Sequence, residues 1–373
     1  MSKKIIFLAN IDKFLVSHRL PIAKQLLLDG YDVYIATEFT KYQNKLKRLG
    51  FKTYNIKFSR NSLNLFKMFI PFFQIFILLL KIKPSILHLI SLKPIIFGGL
   101  LTFVSPVKSV VISITGLGSL YLKKNFFYKA REKILNYFLR VIFILPNLNV
   151  ILQNKSDLKY LIKETGLKKN KSKIIKGSGV DLKKFKYSKL NYKIPTILMA
   201  SRIIKDKGVI EFIKAASYFK KKKIKAKFYL IGNIDKENPS VVNKKLLDYW
   251  TKNKLVNYLQ HQQDIEKYIK KCAIVVLPSY REGFPKILME AAAIGRPVIT
   301  TNVPGCRDAV LKNVTGILIP VKNYIALAKA IERLCKNKKK LKKFGIAARK
   351  HAVKNFNVID IVSQHISIYK KIV

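Results

Sequence analysis

Two glutamates, Glu282 and Glu290, stand eight positions apart in SYREGFPKILMEAAAIGRPVI, residues 279–299 of a 373-residue chain with 73 lysines and arginines against 20 acids. A carboxylate accepts hydrogen bonds from neighbouring hydroxyls, so two at this separation suit two sugar rings, a ribose and a hexose. Pro285 has the backbone angle of a first helical turn, and the helix expected over PKILMEAAAIG runs to Gly295. Glu282 then falls in the turn before the helix and Glu290 about a turn and a half inside it. The free amides of the first turn, together with the helix dipole, make an anion site beside them. A helix-start acid favoured by the dipole plus one exposed helical glutamate is the competing description. The two residues by themselves leave both open.

Other loops carry candidates too. In ASRIIKDKG (200–208), Arg202 and Lys207 follow a strand and precede a helix. A planar guanidinium and a point-charge ammonium suit a diphosphate, although two ordinary surface cations would look the same. In SITGLGSLY (113–121), Thr115, Gly116 and Gly118 follow a strand where backbone can approach a ligand closely. The spacing matches neither a dinucleotide fingerprint nor a P-loop. LANIDKFLVSHRLPI (8–22) reads as a long first loop holding His18, a packing or capping histidine, and Arg19 before a helix. No Cys/His spacing fits zinc, no G-x-S-x-G occurs, and no nucleic-acid-binding module is evident.

The elements that must position these loops alternate. Apolar strands are expected at 4–9, 32–36, 85–90, 109–114 and 149–153, with helical patterns between them. The first helix is PIAKQLLLDG, with Pro21 in its first turn and Gly30 where it ends. A lysine-rich passage, 179–195, interrupts, and strands resume at 196–201, 227–232, 273–278 and 297–301. This order predicts an α/β protein of two doubly wound, Rossmann-like domains joined near residue 190. Such sheets bind ligands outside the carboxyl ends of their strands, so chemistry is sought at 9–19, 115–120, 201–208, 232–240 and 279–285.

With 49% apolar residues, each half can bury a core. The formal charge of +53 suits an anionic partner: nucleic acid, acidic lipid or a phosphorylated substrate. Lysine supplies 62 of the 73 cations, so most of the excess reads as a compositional bias, with a membrane-facing share on top. KKKK (220–223) and KNKKKLKK (336–343) look like solvated helix ends. Cys272, Cys306 and Cys335 are odd in number and widely spaced, which fits a reducing cytosol rather than a disulfide framework. The opening MSKKIIFLANIDK has an apolar run too short for a signal peptide. LFKMFIPFFQIFILLL (65–80), interrupted by Lys67 and Pro71, falls short of the ~20 apolar residues that span a bilayer. It is expected as a buried or membrane-surface helix, more simply the former. LKKNFFYKAREKILNYFLRVIFIL (122–145) is basic, aromatic and amphipathic, as in a helix lying on an anionic interface.

Taken together, these motifs resemble glycosyltransferase family 4, the retaining sugar-nucleotide transferases of the GT-B fold. E-x7-E from Glu282 to Glu290 carries the likeness, with Arg202 and Lys207 where the family has its diphosphate-binding pair and KGSGVD (176–181) where it has an interdomain segment. HRLPIA, HLISLKPIIFGG and ITGLGSLY are similar to bacterial enzymes that add N-acetylhexosamines to undecaprenyl-diphosphate-linked sugars. FSRNSLN (58–64) and NPS (238–240) point to the α-1,3-N-acetylgalactosaminyltransferases of bacterial protein N-glycosylation.

The resemblance implies an acceptor domain over 1–185, a donor domain over 190–354, a cleft between them, and a final helix (about 355–373) packed back on the first domain. Arg202 and Lys207 would neutralise the diphosphate of a UDP-sugar, Glu290 would hold its ribose and Glu282 its sugar hydroxyls. Backbone of Gly283, Phe284, Lys286 and Ile287 would line the sugar and phosphates, and Gly232 and Gln260 would lie nearby, the uracil falling near YLQHQQDI (258–265). No cofactor and no metal are expected. His18, Arg19, Lys93, Thr115 and Gly116 are acceptor-side candidates. Many family members carry a histidine after the strand that here ends in Ile114; this chain has TGLG, so no general base is assigned. The implied setting is peripheral, on the cytoplasmic face of the inner membrane, with a lipid-linked glycan as partner and no nucleic acid. A capsule or O-antigen transferase of the same fold is the alternative. A UDP-sugar epimerase and a nucleic-acid binder are more distant ones.

Overall fold

The computed structural model of the chain describes residues 3–58, 65–118 and 125–372. Most of FSRNSLN, the end of SITGLGSLY and residues 122–124 therefore lie outside the described residues. The chain divides into two compact units, Met1–Ser178 with Ile359–Val373, and Gly179–Val358. The division falls at Ser178/Gly179 rather than near residue 190. The reason is in the lysine-rich passage itself, whose Val180 and Phe185 are buried in the core of the second unit.

In the first unit the strands are β1 (Lys4–Ile11), β2 (Asp32–Glu38), β3 (Lys52–Asn55), β4 (Ile86–Ile90), β5 (Ser109–Ile114), β6 (Leu148–Leu152) and β7 (Ser172–Ile174). They form one parallel sheet in the order β3-β2-β1-β4-β5-β6-β7. The helices are α1 (Asp12–His18), α2 (Leu20–Leu28), α3 (Gln43–Arg48), α4 (Leu65–Ile82), α5 (Leu92–Leu101), α6 (Phe126–Phe143) and α7 (Lys155–Thr165).

In the second unit β8 (Thr196–Ala200), β9 (Lys227–Ile231), β10 (Asn257–Leu259), β11 (Ile274–Leu277), β12 (Val298–Thr301) and β13 (Gly316–Ile319) form a parallel sheet ordered β10-β9-β8-β11-β12-β13. Around it stand α8 (Val209–Lys221), α9 (Lys244–Lys252), α10 (Ile265–Lys271), α11 (Lys286–Ile294), α12 (Tyr324–Cys335) and α13 (Lys338–Asn355). The last helix, α14 (Val358–Lys371), places Ile361, Ile366 and Tyr369 in the core of the first unit beside Phe7 and Val33.

The inner strands are buried on both faces, which is why they read as near-continuous apolar runs. In the first sheet Ile6, Leu8, Leu87 and Leu89 meet α4 to α7, while Ile5, Phe7 and Val33 meet α2 and α14. Strand order reverses between β1 and β4 in one sheet and between β8 and β11 in the other, and ligands bind at such reversals.

Two expectations change. The first loop is shorter than 9–19: β1 continues to Ile11 and α1 occupies Asp12–His18. The Asp12 carboxylate is buried and accepts the amides of Thr40, Lys41 and Tyr42 at 2.8–3.0 Å, with the Thr40 hydroxyl at 2.8 Å. Helix α4 is only half buried. Ile75, Leu78, Leu79 and Ile82 enter the core, whereas Phe69, Ile70, Phe73, Ile77 and Leu80 are exposed.

Candidate active site

At the reversal of the second sheet, the loops leaving β8 and β11 are bonded to each other. The Lys207 ammonium pairs with the Glu282 carboxylate, and both side chains are largely buried. Tyr280 N (2.9 Å) and Ser279 Oγ (3.1 Å) donate to Asp206 O, and Tyr280 Oη donates to Glu211 Oε1 at 2.9 Å. Thr301 Oγ1 donates to Ser279 O from the neighbouring strand. Gly208 turns the β8 loop into α8 with φ +78°, and a Cβ there would run into the Pro278 carbonyl. Only glycine lets these two backbones approach so closely.

Helix α11 begins at Lys286, one residue later than expected. Pro285 is its extended N-cap (φ −72°, ψ 122°), where a missing N–H breaks no helical bond. Glu290, the fifth residue of the helix, is 7% exposed, with Lys286 Nζ 3.7 Å away. Burial pushes its carboxyl up to about 7, and Lys286 and Lys184 pull it back. The two glutamates thus have separate partners, Lys207 for Glu282 and Lys286 for Glu290. Phe284 packs its ring on Phe356 at 5.5 Å between centroids, so only its backbone is available to a ligand.

Arg202, also on the β8 loop, donates to Asp235 Oδ2 at 2.8 Å. Gly232 (φ +151°) ends β9 so close to the β8 loop that a Cβ would strike the Ser201 carbonyl. Gly232 N donates to Leu259 O at 3.0 Å, placing it against the loop that holds Gln260. Sequence reasoning passed over Asp206, Glu211, Asp235, Arg296 and Arg349. Arg296 is fully buried, donating to the carbonyls of Ser188 (2.6 Å), Lys270 (2.6 Å) and Cys272 (2.9 Å), and Arg349 donates to Ala293 O at 2.7 Å near the end of α11. Their partners are backbone carbonyls, those of Lys270, Cys272 and Ala293 at helix ends, so no acidic residue in the sequence marks these cations.

In the first unit Arg19 is interior, and the other candidates follow β1, β4 and β5 along the chain. His18 stacks on Phe14 at 4.3 Å and contacts Ser17 Oγ at 2.6 Å, a packing arrangement. Arg19 is only 1% exposed and belongs to the interior, where it interacts electrostatically with His88, His365 and Tyr369. His88 is bonded to Ser113 Oγ and Tyr369 Oη, both at 2.7 Å. Burial, reinforced by Arg19, lowers His88 well below its ordinary value and His365 to about 3, so both imidazoles stay neutral. Lys93 follows β4; burial lowers its pKa, and Glu38 opposes this. Thr115 and Gly116 follow β5, half-buried. Among the described residues no cluster of three or more His, Cys, Asp or Glu could hold a metal ion. Cys272 and Cys306 are buried free thiols, pushed up to about 12 by burial.

A family model described as glycosyl transferases group 1 matches residues 180–351, and one described as glycosyl transferase 4-like matches residues 4–145. The chain is 31% identical over 349 residues to N,N'-diacetylbacillosaminyl-diphospho-undecaprenol α-1,3-N-acetylgalactosaminyltransferase of Campylobacter jejuni, covering 90% of each. It is 26% identical to the capsular polysaccharide biosynthesis glycosyltransferase CapM of Staphylococcus aureus, covering 95% of this chain and 94% of that one. Among solved structures, Anabaena HepE in complex with UDP superposes with a TM-score of 0.79 at 17% identity, covering both chains completely. Two doubly wound parallel units of this kind define the GT-B fold of glycosyltransferases. The chain belongs to glycosyltransferase family 4.

Proposed function

We propose that this enzyme transfers an N-acetylhexosamine, N-acetylgalactosamine by preference, from a UDP-sugar to a sugar carried on undecaprenyl diphosphate, with retention at the anomeric carbon. The observation that carries the reading is the bonding of the β8 and β11 loops at the sheet reversal, which groups Arg202, Lys207 and Glu282 at one strand edge. The Campylobacter relative is named for such a transfer, and HepE was solved with UDP.

Arg202 and Lys207 act on the diphosphate, stabilising the charge that develops on the leaving group. Glu282 accepts from hydroxyls of the donor sugar while anchored by Lys207, and Glu290 accepts from the ribose. Amides from Gly283 to Ile287, save that of Pro285, line the sugar and phosphates. Gly232 and Gln260 stand by the uracil. Retention proceeds by front-face attack, which requires no carboxylate nucleophile, and the cations perform the electrostatic work a metal would. His18, Lys93, Thr115 and Gly116 remain the acceptor-side residues; Arg19 leaves this set because it is interior.

The enzyme works as a peripheral protein on an anionic cytoplasmic leaflet. No helix among the described residues is long and apolar enough to cross a membrane. The exposed apolar face of α4 supports this docking, as do Phe126, Phe127, Lys129, Lys133 and Tyr137 on the exposed side of α6. A cavity of about 350 Å³ at the end of α6, lined by Arg140, Lys163, Lys168 and Lys171 beside Phe143 and Ile144, adds cations and apolar surface.

The test is incubation with a panel of UDP-N-acetylhexosamines and undecaprenyl-diphosphate sugars, following UDP release and the mass of the lipid product. Turnover is expected with at least one pair, and none across the panel overturns the reading. Lys207→Ala and Glu290→Gln should each lower turnover on the order of a hundredfold or more with folding unchanged by circular dichroism. The likeness to CapM supports a second reading, a capsule transferase of the same fold, which the same acceptor panel separates.

A further inference from the structure

Beyond Gly232, the loop Gly232–Ser240, GNIDKENPS, has no part in the proposed reaction, yet it bonds to both loops beside it. Towards β8, Ile203 N donates to Asn233 O (3.0 Å), Lys205 N to Ser240 O (2.7 Å) and Val242 N to Ile203 O (3.2 Å), and Ile204 forms an antiparallel bridge with Val241. Towards β10, Tyr258 Oη donates to Gly232 O (2.9 Å) and His261 N to Asn233 Oδ1 (3.0 Å). Asn238 closes the turn, its Oδ1 accepting Ser240 N (2.9 Å) and Ser240 Oγ (2.8 Å). Pro239 follows it, a residue suited to a rigid turn. At the tip, Asp235 holds Arg202.

The two members of that pair are unequal. The Arg202 side chain is 56% exposed and Asp235 only 19%, so a guanidinium on a long stem is held by a carboxylate on a stapled loop. A free arginine at the surface gives up rotamer freedom when it meets a ligand. One already confined by a charge-assisted hydrogen bond gives up less.

We infer that Asp235 is a positioning residue for Arg202, and that the 232–240 loop sets the reach from the base-side backbone at Gln260 to the diphosphate-side guanidinium. Its ligand class is a nucleoside diphosphate. The inference rests on the donor-site reading above. Charge alone predicts the opposite: removing an anion from beside a phosphate site would tighten phosphate binding. Positioning and simple repulsion therefore differ in sign.

The experiment titrates the full chain with UDP by calorimetry and with uridine by NMR. Asp235→Asn should weaken UDP about two- to fivefold, the range of an exposed ion pair, and leave uridine essentially unchanged. Asp235→Glu, which can remake the pair, should recover most of the loss. Unchanged or tighter UDP binding by Asp235→Asn overturns the inference. Equal weakening of UDP and uridine also overturns it, because Asp235 would then support the loop as a whole. Arg202→Ala separates the levels: it should weaken UDP at least about tenfold and leave uridine alone. If Arg202→Ala leaves UDP binding intact, the donor-site reading itself fails and the inference falls with it.

Discussion

Glu290 is a carboxyl in a protein with a formal charge of +53, and burial still holds it up at about 7. A pKa raised in the folded state means that the proton is bound more tightly there than in the unfolded chain. The stability this contributes is fully present below the ordinary glutamate value and is lost as pH rises through about 7. Ligand binding runs the other way, since only the carboxylate accepts two ribose hydroxyls. UDP affinity measured from pH 6 to 8 should therefore rise through about 7, and Glu290→Gln should flatten the profile. A pH-independent affinity in the parent protein would remove Glu290 from the nucleotide site. Glu282 differs because its partner, Lys207, comes from another loop. The E-x7-E spacing was legible in sequence, but the cation paired with each carboxylate and the depth of its burial were not, because spacing carries no information about burial or about which cation lies across the sheet edge.

At the scale of elements, loops are positioned by contacts that tolerate little change. Gly208→Ala would put a Cβ into the Pro278 carbonyl at a positive φ. We expect it to cost about 1–3 kcal/mol of stability and, by shifting Lys207 against Glu282, on the order of a hundredfold in turnover. Thermal melts and steady-state kinetics read the two separately. Helices α4 and α6 make the membrane prediction. Phe69→Ser with Phe73→Ser in α4, or Lys129→Glu with Lys133→Glu in α6, should reduce sedimentation with vesicles containing phosphatidylglycerol, each cation near the surface being worth ~1 kcal/mol. Equal sedimentation of all variants would rule out docking through this face. The strands that sequence reasoning missed, β3, β7, β10 and β13, are the outermost strands of the two sheets. An edge strand needs little apolar sequence, and KTYN in β3 shows none of the run that marked β4 or β5.

At the scale of the molecule, the last helix belongs to the first unit. Tyr369 Oη reaches His88 Nδ1 across 281 positions of sequence, and Ser109 Oγ donates to Ile372 O at 2.8 Å. Tyr369→Phe keeps the ring and leaves a buried imidazole nitrogen without its partner, which should cost about 1–3 kcal/mol in denaturant melts while UDP affinity stays unchanged. A neutral effect on stability would show that this hydrogen bond is dispensable.

Alternation of apolar runs with helical patterns, and E-x7-E preceded by Arg202 and Lys207, determined the fold class, the two-unit organisation and the family from sequence alone. Local periodicity and motif spacing survive in one dimension, because each reflects neighbours a few residues apart. Tertiary structure alone decided that Arg19 is interior, that Asp12 and Asp235 bond to loops far from them in sequence, that α4 exposes a face, and that the unit boundary precedes the lysine-rich passage. Those outcomes depend on which charged groups meet in space and how much water is left around them, and a sequence dominated by lysine offers far more possible pairings than folding selects.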